Sequence, residues 1–191
     1  MADHGCLMTD PMMRAVLSGD KTVTRRIGNA WARARVGDRL WFREVWKPDE
    51  SPDGQAGYLY RCDGAFNLTN GRYGSYAEWK RLRDGKNDRS WQSSMIMPRS
   101  VCRATGIITS IGQVPLQDID EADALREGME TVKYSDILAL RGKAPINELR
   151  DIADLWRPLD PVERFMVIFD ILNPGQWQLN PLVWRVEWER E

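Results

Sequence analysis

From Lys21 to Arg26 the chain reads Lys-Thr-Val-Thr-Arg-Arg, placing three cations and two hydroxyls within six residues. A lysine crowded by cations and withdrawn from water loses proton affinity. A neutral Lys21 beside Thr24 can therefore take the hydroxyl proton and turn Thr24 into a nucleophile. Arg25 and Arg26 can hold an anion or a developing oxyanion. The same six residues also suit an exposed basic turn whose threonines serve strand propensity. Taken alone, they do not decide between the two.

Other chemistries are disfavoured by what the chain lacks. It has one histidine, His4, so zinc or non-haem iron catalysis is not expected. A Ser-His-Asp arrangement would have to rest on that same His4, in a terminus expected to be mobile. The cysteines Cys6, Cys62 and Cys102 are odd in number, widely spaced and without a C-x-x-C pair. That usage implies reduced thiols and a cytoplasmic setting rather than a disulfide framework. The longest apolar run, residues 165–169, is far short of the ~20 residues of a membrane span. Met1-Ala2-Asp3-His4 lacks the layout of a signal peptide. No metal, cofactor or membrane partner is expected.

The elements that must position Lys21–Arg26 are short. Asp10 suits an N-cap, Pro11 the first helical position and Gly19 the C-terminal cap, with Met12, Val16 and Leu17 on one face. The basic hexapeptide then runs from a turn into extended chain. Val36-Gly37-Asp38 signals a turn before a strand from Arg39 to Trp46, residues 47–57 read as loop, and Tyr58–Cys62 reads as a returning strand. Ser75-x-x-Glu78 opens a helix that Gly85 would close, in an otherwise polar, Gly-rich segment. A strand over 103–114 is followed by helices over 120–127 (closed by Gly128), within 131–141 (closed by Gly142), and from Asp160-Pro161 to about Leu172. In the last strand Leu182, Trp184, Val186 and Trp188 alternate with Val183, Arg185, Glu187 and Glu189. Strands broken by short helices without βαβ periodicity predict one α+β, barrel-like domain over 1–191.

Charge is unevenly distributed. Residues 1–103 hold 18 basic and 12 acidic residues, net +6, whereas 104–191 hold 9 and 16, net −7. The two halves can pair on folding, or one basic face can meet a polyanion while the pI stays near 6.0. Nine of the aromatic residues are Trp, against 5 Tyr and 4 Phe. Trp184 and Trp188 are expected in the core, and Trp156 and Trp177, which flank the helix opening at Asp160-Pro161, are expected to pack against the barrel. Trp41 and Trp46 have opposite parity, which would turn one to the core and the other to a groove. Trp31, Trp79 and Trp91 lie near basic residues (Arg33, Arg35; Lys80, Arg81, Arg83; Arg89, Arg99). They can either stack on unpaired bases or close a core.

The helix ending in Gly19, followed by Lys21, Thr22, Thr24 and Arg26, resembles the ASCH family of PUA-like proteins. The likeness extends to a longer branch of that family, often encoded by phages or prophages. It is carried by Gly37-Asp38, Leu40, Trp41, Arg43 and Glu44; by Trp91, Ser94 and Met97-Pro98-Arg99; and by Asp118, Ile119, Glu121, Asp123, Ala124, Glu127 and Gly128. Asn180-Pro181, Val183, Trp184 and Glu187 complete it. Where that branch often has a His before Met-Pro-Arg, this chain has Ile96.

The resemblance implies a PUA-like small β-barrel with short flanking helices and a polar insertion at about 47–98. It also implies a metal-independent amidohydrolase that removes an acyl group from a modified nucleobase or nucleoside such as N4-acetylcytidine. Thr24 would be the nucleophile, Lys21 its base, and Glu127 a proton carrier or orienting group. Arg25, Arg26, Arg43, Trp46, Trp91 and Arg99 are the candidate substrate-binding residues. The partner would be a modified nucleoside or single-stranded nucleic acid in a bacterial or phage-infected cell. The competing readings are a non-catalytic RNA- or DNA-binding module and a ribonuclease. By position alone, Glu127 lies in the last turn of an acidic helix, where crowding by Asp118, Asp120, Glu121, Asp123 and Glu130 can raise its proton affinity. The same position also suits a merely solvated glutamate.

Overall fold

A computed structural model describes residues 1–69, 72–84, 90–141, 156 and 158–191. Gly85 and Gly142, expected to end helices, and Arg89, grouped with the basic stretch, lie outside them.

Two sheets form the framework. The larger contains β1 (Asp3–Leu7), β2 (Val23–Arg26), β3 (Arg39–Arg43), β7 (Thr105–Pro115) and β8 (Leu182–Arg190), in the order β1-β3-β7-β8-β2. Its β1–β3 pair is parallel and the other pairs are antiparallel. The smaller contains β4 (Trp46–Glu50), β5 (Ala56–Tyr60) and β6 (Phe66–Leu68), all antiparallel. The helices are α1 (Asp10–Ser18), α2 (Tyr76–Asp84), α3 (Glu121–Arg126), α4 (Tyr134–Arg141), α5 (Pro161–Leu172) and α6 (Gln176–Leu179).

The fold is α+β, and no closed barrel is found among the described residues. The larger sheet ends at β1 on one side and β2 on the other. Between these edges the Arg26 side chain, rather than a backbone ladder, reaches from β2 to the Leu7 carbonyl at the end of β1.

Local chemistry accounts for most of the elements. Thr9 is the extended residue before α1, so the helix starts at Asp10, one position earlier than an Asp10 cap would allow. Gly19 closes it in the left-handed region at φ 90°. Asp120 caps α3 through the Asp123 amide, and Asp160 with Glu163 forms a complete capping box on α5.

Four expectations are corrected. First, Arg39–Trp46 is not one strand. The chain passes from the larger sheet to the smaller at Glu44, which is fully buried and accepts hydrogen bonds from Arg103 Nε at 2.7 Å and Nη2 at 2.8 Å. Second, residues 47–50 are strand rather than loop. β4 is an edge strand, where Pro48 opposite Tyr58 is tolerated. Third, His4 is not in a loose terminus. It lies in β1 with Nε2 3.0 Å from Asp38 Oδ2. Fourth, Leu182 is 60% exposed, and it is Val183 that turns inward with Val186 and Trp188. A β-bulge between Ile108 and Ser110 shifts the register opposite this strand.

Each sheet has its own core. The larger cluster joins Phe42, Leu40, Ile108, Val186 and Trp188 to helices α1 and α5. The segment read as a polar insertion packs Tyr58, Tyr60 and Trp79 with Trp46, Met97 and Val101 in a second cluster. Trp31 and Trp79, candidates for base stacking, are buried core residues, and Trp91 at 41% exposure is not. The basic and acidic halves meet in ion pairs, including Arg14–Asp136, Arg39–Glu191 and Lys21–Glu127.

Candidate active site

Lys21 follows the turn that ends α1, Thr24 and Arg25 lie on β2, and Glu127 is the C-terminal cap of α3. An isolated antiparallel bridge pairs the backbones of Lys21 and Glu127, and the Thr22 amide donates to the Arg126 carbonyl at 2.9 Å. Gly128 makes this approach possible. Its φ is +89°, and a Cβ there would lie 2.7 Å from the Ala15 Cβ and 3.3 Å from the Lys21 Cβ.

Lys21 and Glu127 are both buried, at 2% and 3% exposure. The Lys21 ammonium donates to Glu127 Oε2 at 2.5 Å, to the Val23 carbonyl at 2.8 Å and to the Glu127 carbonyl at 3.0 Å. Desolvation lowers its proton affinity below that of a free lysine, and the Glu127 carboxylate opposes that shift. The solvated-glutamate reading of Glu127 is thereby overturned.

Arg25 completes the corner. Its side chain is fully buried, with Nη2 2.5 Å from Asp123 Oδ2 and the guanidinium 5.9 Å from the centre of the Phe165 ring. Asp123 also accepts two hydrogen bonds from Arg185, at 2.6 and 2.7 Å. Held first by Arg185 and then by Arg25, the Asp123 carboxyl lies well below the usual carboxylate range. Arg25 Nη1 and Glu127 Oε1 are 3.5 Å apart, and both are buried without a hydrogen-bond partner, as is Arg26 Nε. Buried polar atoms left without a hydrogen bond are costly, and a ligand is one way to satisfy them.

A cavity of about 350 Å³ adjoins this corner. Lys21, Thr24, Arg25, Arg26 and Glu127 all line it. Its other walls come from the end of β1 (Leu7, Met8), from Ser94, and from one face of α5. The volume is within the small-ligand range of about 300–1,000 Å³.

The remaining candidate residues do not line the cavity. Arg43 donates to the Met95 carbonyl and lies 5.0 Å from the Trp41 ring centre, so it holds the strip next to Ser94. Arg99 pairs with Asp3 and also faces Trp41. Trp46 is 1% exposed and packs edge-on against Tyr58, which removes it from substrate contact. Trp91 carries the Lys47 ammonium 5.3 Å from its ring centre.

Two contributors were missed from sequence: Asp123 as the anchor of Arg25, and the α5 wall. The wall was visible as Phe165, Ile168, Phe169 and Leu172, a helical i, i+3, i+4, i+7 stripe. Among the described residues no group of three or more His, Cys, Asp or Glu side chains could hold a metal ion, and no helix is long and apolar enough to cross a membrane.

Comparison with family models, with curated proteins and with solved structures returned no match.

Proposed function

We propose that this cavity hydrolyses the amide bond of an acylated nucleobase or nucleoside of the N4-acetylcytidine type, within a PUA-like ASCH fold. The observation that carries the reading is the lining of one cavity by Lys21, Thr24 and Glu127, with the lysine desolvated. Lys21 passes a proton to Glu127 across their 2.5 Å contact and, as a neutral amine, accepts the Thr24 hydroxyl proton. Thr24 Oγ1 attacks the acyl carbon, and Arg26 Nε, buried without a hydrogen-bond partner, donates to the oxyanion while the Arg25 guanidinium adds positive charge beside Glu127. The C–N bond breaks as Lys21 returns a proton to the leaving nitrogen. Water then cleaves the threonine ester, releasing the carboxylate and restoring the hydroxyl.

A second reading, a non-catalytic nucleic-acid-binding module, is favoured by one observation. The three hydrogen bonds from Lys21 go to Glu127 and to carbonyls, and none goes to Thr24. The experiment is incubation with N4-acetylcytidine in EDTA, following release of cytidine. Conversion that is lost in Lys21→Ala, Thr24→Ala and Glu127→Gln, each folded by circular dichroism, supports the hydrolase. If a panel of acylated nucleosides stays intact while single-stranded oligonucleotides bind, the module reading replaces it. Cleavage of unmodified RNA that survives Thr24→Ala sinks the threonine mechanism in favour of a ribonuclease.

A further inference from the structure

The polar corner occupies only one part of the cavity. Among its walls are Phe165, Ile168, Phe169 and Leu172, the whole inward stripe of α5. Phe165 is 4% exposed and touches the corner through the Arg25 guanidinium, 5.9 Å from its ring centre. Leu172, seven residues on, is 45% exposed and marks the solvent end. At a helical rise of about 1.5 Å per residue, the stripe runs about 10 Å from the reacting groups to solvent. Met12 and Met129 line the same cavity, and both side chains can adapt to a flexible occupant. An acetyl methyl beside Thr24 would reach only the corner end of this stripe.

We infer that the α5 stripe is an acyl-chain track, and that the substrate is an amide whose acyl group is a linear apolar chain of about four to eight carbons rather than acetyl. This rests on the proposed amide hydrolysis and specifies its substrate. Thr24 and Lys21 engage the carbonyl end, and the chain runs along Phe165, Ile168 and Phe169 towards Leu172. Each CH2 taken from water into such a track strengthens binding about fourfold. Because the track is occupied in the transition state as well, the gain appears in kcat/KM.

Two series on the full-length protein test this. The first measures kcat/KM for N4-acetyl-, N4-butanoyl- and N4-hexanoylcytidine. Values should rise about fourfold per CH2, and Leu172→Asp at the open end should cut the hexanoyl-to-acetyl ratio at least fivefold. The second measures binding of acetamide, butanamide and hexanamide by calorimetry, which needs no turnover. Hexanamide should bind much more tightly than acetamide, and Leu172→Asp should narrow the difference at least fivefold. If hexanamide binds no better than acetamide, or acetyl is cleaved as fast as hexanoyl, the track is overturned. If binding rises with chain length but no acylcytidine is cleaved, the proposed hydrolysis fails and the track stands.

Discussion

Replacing Glu127 by Ala would strand the Lys21 ammonium at 2% exposure, with only the Val23 carbonyl and one backbone carbonyl of residue 127 as acceptors. Removing one partner of a buried ion pair costs about 3–5 kcal/mol, because the remaining charge stays desolvated. The loss should depend on pH, and its sign follows from Lys21. Burial already holds its folded pKa below the ordinary 10.5, and the carboxylate that opposes this shift is the group removed. Between the folded value and 10.5 the unfolded chain binds more protons than the folded one. Stability therefore rises with pH across that window, by at most about 1.4 kcal/mol per unit, and is lowest below the folded pKa. Urea unfolding followed by far-ultraviolet circular dichroism at pH 7, 8 and 9 measures this directly. The double variant Lys21→Met/Glu127→Leu removes both charges. It should exceed Glu127→Ala in stability at pH 7 and should lack the extra slope. A Glu127→Ala protein within about 1 kcal/mol of wild type, or one parallel to the double variant in pH, would refute the buried-ammonium argument.

Three further outcomes are expected. Gly128→Ala should cost about 1–2 kcal/mol for the left-handed backbone alone, and should also lower activity as Ala15 and Lys21 are pushed aside; thermal unfolding and turnover check the two effects. Glu44→Ala would leave Arg103 with Asp63 as its remaining carboxylate and so should destabilise by less than the about 3–5 kcal/mol of a stranded buried charge, with amide exchange accelerating first in the smaller sheet. Asp38 is held at about 2 by hydrogen bonds from the Ala2 amide and His4, so its contribution is complete above pH about 4 and lost as pH falls through about 2. Asp38→Asn should flatten that part of an acid-unfolding profile.

Elements set by local chemistry were legible in the sequence. Asp120 and Asp160-Pro161 mark two helix starts, and the basic hexapeptide marks the turn into β2. What was not legible depends on partners distant along the chain. Arg25 is anchored by Asp123, 98 residues away, and no local spacing encodes that pairing. Pro48 and its polar neighbours read as loop because composition does not show that the strand lies at a sheet edge. His4 read as terminal because its parallel pairing with Leu40 is a tertiary event. The candidate site divides along the same line. Lys21, Thr24, Arg25, Arg26 and Glu127 line the cavity because β2 and the end of α3 are stitched together, whereas Trp46 was claimed by the core of the smaller sheet.

The cavity lies where the larger sheet fails to meet itself. Leu7 and Met8, at the end of one edge strand, and Thr24–Arg26, on the other, share its wall, and the Arg26 side chain spans the seam. An occupant would therefore touch both edge strands of the larger sheet at once. Filling it should tighten both rims together, so that protection of amides 3–7 and 23–26 against hydrogen exchange rises in step with ligand saturation. Binding at this seam would be read as a coupled stiffening of two edge strands that have no backbone ladder between them.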